Sequence, residues 1–213
     1  MTMRVLIKKI LIFFANVARL LYPYSFSFKL RTYRNYFYTN WIKNSLGEVG
    51  ASTIIEKPCQ LIGGGNSKIS IGSNTCIQAN SVLGCWSKHN NHIYNPFIKI
   101  GNHCSFGEYN HLSCINGIEI GDGLLTGRFV IISDNNHGDF SLDNADVIPG
   151  DRELKSKGKI IIGNNCWIGD KATILGGITI GNNVIIAANS VVTHSLPSNC
   201  IAAGVPARII KQL

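Results

Sequence analysis

From Ile71 to Val192 an aliphatic residue, usually followed by Gly or a small polar residue, recurs every six positions, and this period limits the fold more than any other feature. The clearest run is Ile162-Gly163, Ile168-Gly169, Ile174-Leu175, Ile180-Gly181, Ile186-Ala187 and Val192-Thr193. A heptad would suit a coiled coil, and strict alternation a half-buried strand. A step of six with small residues at the corners suits a triangular β-helix in which three hexads make one coil. Upstream the frame passes through Ile100-Gly101, Phe106-Gly107 and Leu112-Ser113, then after two extra residues through Ile120-Gly121, Thr126-Gly127 and Ile132-Ser133. An earlier coil starts at Ile71-Gly72, Ile77-Gln78 and Leu83-Gly84. Each first-position aliphatic should point into the prism and stack on its counterpart one coil away, burying apolar area at roughly 25 cal/mol per Å2. The neighbouring Gly and Asn residues should turn the corners by tolerating positive φ.

The chain of 213 residues, 45% apolar and 15% charged, has room for one core with short appendages. We divide it into a basic, aromatic helical segment (1–46), the β-helix (47–198) with loops at 85–99 and 137–159, and a tail (199–213). The net charge of +8 lies at one end: residues 1–45 hold Arg4, Lys8, Lys9, Arg19, Lys29, Arg31, Arg34 and Lys43 with no Asp or Glu. Subtracting those eight from the 20 Lys and Arg leaves 12 against 12 acidic residues, so the body is neutral. Such a prism lacks the broad positive face that duplex nucleic acid needs, and no nucleic-acid partner is expected.

Val5 to Leu21 is interrupted by Lys8, Lys9, Asn16 and Arg19, and no small-residue cleavage site follows, so neither secretion nor a membrane crossing is expected. At 100° per residue, Arg4, Lys8, Arg19, Asn16 and Lys9 fall on one arc, while Leu6, Ile10, Phe13, Phe14, Val17 and Leu21 lie mostly opposite. This is an amphipathic helix ending before Pro23. Beyond it, Tyr33, Tyr36, Phe37, Tyr38 and Trp41 interleave with Arg31, Arg34 and Lys43. That composition suits the headgroup zone of an anionic bilayer at the cytoplasmic face; packing on a neighbouring subunit is the alternative. The seven Cys show no paired spacing and read as reduced, structural thiols in a cytoplasmic protein.

Two interruptions break the repeat. The first, Cys85 to Lys99, carries Trp86, His89 and His92. The second, His137 to Lys159, follows Ser133-Asp134-Asn135-Asn136-His137-Gly138-Asp139 and contains Pro149, Arg152, Leu154, Ser156, Lys157 and Gly158. A regular coil has no reason to be broken at such length unless the loop packs on a partner or shapes a site.

Taken with Ile162-Gly163-Asn164-Asn165-Cys166-Trp167-Ile168-Gly169-Asp170, Ala188-Asn189-Ser190-Val191-Val192-Thr193 and Ala203-Gly204-Val205-Pro206-Ala207-Arg208, residues 47–213 resemble the hexapeptide-repeat acyltransferases. The similarity is to their galactoside, maltose and xenobiotic acetyltransferase branch, and within it to O-acetyltransferases of bacterial capsule, O-antigen or exopolysaccharide assembly. The resemblance implies an all-β, left-handed parallel β-helix and a homotrimer with active sites between prisms. It further implies acetyl-CoA as cosubstrate without a metal, and a saccharide acceptor, free or lipid-linked.

By match, His137 is the general base that takes the proton of the sugar hydroxyl, and the backbone N–H of Asp170 meets the developing oxyanion, its side chain being incidental. Asp134 or Asp139 would orient the imidazole, a task that a backbone carbonyl could serve equally well. Ala188, Thr193 and His194 would border the pantetheine arm, Trp167 would wall its channel, and Arg208 and Lys211 would meet CoA phosphates. His194-Ser195 stands where the family usually has Lys-Asp, which puts a phosphate contact there in doubt. Asn110, His111, Arg152 and Lys157 are the acceptor-side candidates.

Two other readings stay open. N-acetylation of a nucleotide-linked aminosugar is one, although residues 1–46 carry no G-x-G-x-x-G. A γ-carbonic-anhydrase-like zinc site is the other. Against it, position 142 is Leu rather than a second ligand, and the 26 residues from His111 to His137 imply different faces of the prism.

Overall fold

The hexads become short parallel strands, two to five residues long, stacked coil upon coil in a computed structural model that describes residues 3–138 and 146–212. Two helices come first, α1 (Met3–Leu21) and α2 (Tyr24–Ile42). Coil one is β1 (Glu48–Val49), β2 (Ile54–Ile55) and β3 (Cys59–Ile62); coil two is β4 (Ile69–Ile71), β5 (Cys76–Ile77) and β6 (Ser81–Cys85). A hairpin of β7 (Lys88–His89) and β8 (His92–Ile93) interrupts. Coil three is β9 (Ile98–Ile100), β10 (Ser105–Phe106) and β11 (His111–Cys114), and coil four is β12 (Ile118–Ile120), β13 (Leu125–Thr126) and β14 (Ile131–Ser133). A second hairpin pairs β15 (Asn135–His137) with β16 (Leu154–Ser156). Coil five is β17 (Ile160–Ile162), β18 (Trp167–Ile168) and β19 (Thr173–Leu175), and coil six is β20 (Thr179–Ile180), β21 (Ile185–Ile186) and β22 (Val191–Val192). Strands β23 (Cys200–Gly204) and β24 (Ala207–Gln212) close the end.

The prism has three walls. Wall one is β1-β4-β9-β12-β17-β20, wall two is β2-β5-β10-β13-β18-β21-β23-β24, and wall three is β3-β6-β11-β14-β19-β22. Register carries the aliphatic column inward: on wall three Leu61, Leu83, Leu112, Ile132, Ile174 and Val192 pair in succession. Ile132, Ile174 and Val192 are wholly buried, each contributing about 1.5–3 kcal/mol. Coil one was not visible in the six-residue frame because Leu61 and Ile71 are ten positions apart. The four extra residues form a turn with Gly63 at φ 91° and Gly64 at φ 78°.

The corners differ from the expectation in one respect. Glycines such as Gly72, Gly101, Gly121, Gly163 and Gly181 are not at positive φ. They are needed because coils approach closely: a Cβ on Gly72 would lie 2.6 Å from the Gly101 carbonyl carbon. The left-handed turn falls two residues later, at Asn74, His103, Gly123, Asn165 and Asn183. Between walls one and two a ladder runs from coil to coil, Ser73 N–H to Asn102 Oδ1 (2.8 Å), Asn102 N–H to Asp122 Oδ1 (2.7 Å), Asp122 N–H to Asn164 Oδ1 (2.8 Å) and Asn164 N–H to Asn182 Oδ1 (2.7 Å). Corner amides that would otherwise be orphaned are thereby satisfied.

The open end at coil one is covered by α2. Tyr38 Oη donates to the Cys59 carbonyl (2.7 Å) and accepts from its N–H (3.1 Å), and Thr39 Oγ1 accepts from Ile55 N–H (2.9 Å). Side chains of the helix thus serve the edge strands as a further coil would. Asn35, Tyr38, Thr39 and Ile42 are the buried residues of α2, whereas α1 buries none. All seven Cys are free, and burial pushes the Cys59 thiol up to about 12.

Candidate active site

Both hairpins spring from the corner where wall three meets wall one, and they fold back over the outer face of wall three. Their union makes a cleft of about 280 Å3 lined by Trp86 and His89 of the first loop, His111, Ser113 and Ser133 of wall three, and Asn135, His137 and Leu154 of the second hairpin. The inward column of wall three leaves its outward residues, two apart, to form this floor. The loops are tied together: Tyr94 Oη accepts from Leu154 N–H (3.1 Å) and donates to its carbonyl (3.3 Å), and Asn90 Nδ2 donates to the Asp151 carbonyl (3.3 Å). His137 is held by pairing with Leu154, and its ring meets His89 edge-on at 5.5 Å between centroids. Trp86 Nε1 and Asn135 Nδ2 both donate to Ser113 Oγ, at 3.2 and 3.1 Å, which fixes the cleft wall.

Several expectations need correction. His111 and His137 share one cleft, because the second hairpin leaves the hexad frame at Asp134 and residue counting no longer tracks the walls. Burial lowers the pKa of His111. Asp134 does not orient the imidazole; its carboxylate accepts from the backbone N–H groups of Ile115 (2.9 Å), Asn116 (2.9 Å) and Gly117 (2.7 Å). These lie in the corner that the two extra residues lengthen before coil four. Burial pushes the Asp134 carboxyl up, opposed by those three amides and by Asn135. Asp139 lies outside the described residues.

Asn110 is not an acceptor-side group. It is buried, donates to Thr126 Oγ1 (2.7 Å) and accepts from Val130 N–H (2.7 Å), joining coils three and four from within. Arg152 gives its Nε–H to the Val147 carbonyl (2.9 Å), and its stem lies against Gly138, where a Cβ would be 3.0 Å from Arg152 Cδ. The side chain of Asp170 is not incidental, since Oδ1 accepts from Arg128 N–H at 2.9 Å.

Lys157 lines a second groove of about 360 Å3 with Ser133, Asn135, Leu175, Gly176 and Thr193. A third, of about 370 Å3, runs between His194, Ser195, Leu196, Ala207, Arg208 and Ile209. Ser133 and Asn135 belong to both the cleft and the second groove, and Thr193 Oγ1 lies 2.8 Å from His194 Nδ1 at the entrance to the third. The three hollows thus follow one another as a track from His137 to Arg208, the second and third meeting at Thr193 and His194. Within one protomer Trp167 and Asp170 do not meet it. Trp167, half-exposed, stands on the outer face of wall two, and Asp170 turns the corner between walls two and three, as Ala188 does one coil on. Lys211 pairs with Ile201 and Arg208 with Ala203; a bulge restores the two cations to one face despite their odd spacing.

Trp86 and His89 stand out in the sequence without a role, and Ser113, Ser133, Asn135 and Tyr94 are cleft residues that the repeat alone does not mark. The available signal was the outward parity of wall-three residues, which places His111, Ser113, Ile131 and Ser133 beside one another.

Residues 159–194 match the family described as bacterial transferase hexapeptide, six repeats. That stretch carries the repeats of this family, and the fold of the chain is the left-handed parallel β-helix. Over 109 residues it is 40% identical to the Escherichia coli protein named a lipopolysaccharide biosynthesis O-acetyl transferase, WbbJ, a match covering 49% of this chain and 55% of that one. It is 39% identical to the galactoside O-acetyltransferase of E. coli over 101 residues, 45% and 44% of the two chains. Matches of this kind span about half the length of these curated relatives. Among solved structures, AntD, an N-acyltransferase from Bacillus cereus in complex with dTDP and 3-hydroxybutyryl-CoA, superposes with a TM-score of 0.66 at 26% identity, covering 82% of this chain and 87% of that one. Among the described residues, no three His, Cys, Asp or Glu are disposed to hold a metal ion.

Proposed function

We propose that this hexapeptide transferase is an acetyl-CoA-dependent O-acetyltransferase acting on a sugar hydroxyl of a bacterial surface polysaccharide or its precursor. The observation that carries the reading is the track from the His137 cleft through Thr193 to Arg208. One end offers an imidazole among hydroxyl, amide and indole groups; the other offers an arginine with donors to spare, as Arg208 spends one N–H on the Ala207 carbonyl at 3.1 Å. This donor set fits acetyl-CoA: Arg208 would meet phosphate, and Thr193, His194, Leu175 and Lys157 would border the arm. Acetyl-CoA supplies the thioester carbonyl carbon that is transferred.

His137 in its neutral form accepts the proton of the acceptor hydroxyl as the new C–O bond forms. The same imidazole returns that proton to the departing thiolate as the C–S bond breaks. Transfer is direct, and no Cys lines the cleft. Proton transfer of this kind contributes on the order of a hundred to ten-thousand fold. Trp86 gives a flat apolar surface for one face of a sugar ring, with Ser113, Asn135 and His111 as hydroxyl partners.

His137 and the Asp170 N–H sit at opposite edges of wall three, so in this reading the Asp170 N–H that meets the oxyanion comes from an adjoining protomer. We therefore propose a homotrimer in which neighbouring prisms complete each site, with Trp167 and Ala188 on the adjoining side.

The AntD likeness supports a second reading, transfer to the amine of a nucleotide-linked sugar. The test is acceptor-dependent thiol release from acetyl-CoA with hydroxyl and amino sugar panels, followed by mild alkali. An alkali-labile product supports the ester; an alkali-stable one replaces it with the amide.

A further inference from the structure

The N-terminal helices form a surface that the acyl-transfer reading does not use. Helix α1 buries no side chain, and its apolar arc, centred on Phe13, Val17 and Ile10, spans about half the helix circumference at 100° per residue. Opposite it lie Arg4, Lys8, Lys9, Asn16 and Arg19. Helix α2 repeats the division differently. Its buried face, Asn35, Tyr38, Thr39 and Ile42, docks on the prism, and Leu30, Tyr33, Phe37 and Trp41, spaced by three or four residues, form a stripe on the far side. That stripe is bare: Tyr33 is 71% exposed, Phe37 75% and Trp41 68%.

We propose that α1 and the outer stripe of α2 dock in the plane of an anionic bilayer surface, the apolar arcs entering the acyl boundary and the cations meeting lipid phosphate. Charge decides the occupant. Residues 1–45 carry eight cations and no acid, and the remaining 12 cations and 12 acids leave a neutral body, so a second copy offers no net negative charge to match them. No described helix is long and apolar enough to cross a membrane, which leaves the in-plane arrangement. Tyr and Trp on the α2 stripe suit the headgroup level. The docked face of α2 joins coil one, where Ile62 lines the His137 cleft. If the acyl-transfer reading holds, a saccharide carried on lipid would enter from that end, but bilayer docking does not depend on that reading.

The experiment is co-sedimentation of the full chain with vesicles of phosphatidylcholine alone and with phosphatidylglycerol added, at low and high salt. A triple variant, Lys8→Gln, Lys9→Gln, Arg19→Gln, and a second, Phe13→Ser with Phe37→Ser, are run beside it. These side chains are unburied, so thermal melting should match wild type. Salt-sensitive binding only to phosphatidylglycerol vesicles is expected. Each cation is worth about fivefold in partitioning, so the triple variant should lose about a hundredfold. Absence of wild-type binding, equal binding to both vesicle types, or a variant that changes only the mass of the oligomer would overturn the proposal, the last by assigning the surface to a second copy.

Discussion

Replacing Asp134 by Asn tests how the second loop is anchored. Oδ2 accepts from Asn116 and Gly117 and Oδ1 from Ile115, all within 2.7–2.9 Å, and Asp134 is 1% exposed. Asparagine keeps one acceptor oxygen. With that oxygen toward Asn116 and Gly117, its NH2 confronts the Ile115 N–H, and leaving that buried donor unpaired costs about 1–3 kcal/mol. The two surviving bonds also change from charged to neutral acceptors, a loss that is offset by relief of the burial cost which pushes the Asp134 carboxyl up. The expected destabilisation is about 2 kcal/mol, and in a chain of this size 1 kcal/mol moves Tm by about 2–4 °C, giving a fall of roughly 4–8 °C. Circular dichroism melting of wild type and Asp134→Asn at neutral pH measures it. A fall under about 2 °C would refute the reasoning, because the three amides would then be satisfied without the carboxylate.

Arg208→Ala should raise the KM for acetyl-CoA about tenfold or more with kcat little changed, as loss of a charge-assisted bond to phosphate costs about 1.5–3 kcal/mol; steady-state kinetics read the split. Trp86→Ala should raise the acceptor KM and leave that for acetyl-CoA unchanged, since Trp86 lines only the His137 end of the track. His111 has a folded-state pKa depressed by burial, so its contribution to stability is present above about pH 6.5 and lost as pH falls through the folded value. His111→Gln should accordingly flatten the acid-side fall in Tm, as melting curves across that range would record.

The prism was legible because a buried column demands a strict period: Ile162, Ile168, Ile174, Ile180, Ile186 and Val192 announce their walls directly. Coil one escaped because a four-residue turn shifts the frame. The corner glycines were legible as residues but not in their physics, since close approach of coils, unlike φ, leaves no local signal. The site was half legible. His137 and Arg208 were expected, but Asn110 and Asp134 hold the coils and the loop base together, tasks set by backbone amides that come near only after folding. Trp86 and Tyr94 sit in a loop that is far from His137 in sequence and meets it only when both hairpins fold onto wall three. Asp170 was assigned by match to a site between prisms, and within one protomer it turns the corner on the far side of wall three from the second hairpin.

The central claim is that His137 is the base of an acyl transfer, and acceptor-dependent thiol release by wild type and His137→Ala tests it most directly, with acetyl-CoA binding measured on both. The account predicts that turnover falls by a hundredfold or more, consistent with the range for general base catalysis, while acetyl-CoA binding is retained. Equal turnover in the variant would contradict it.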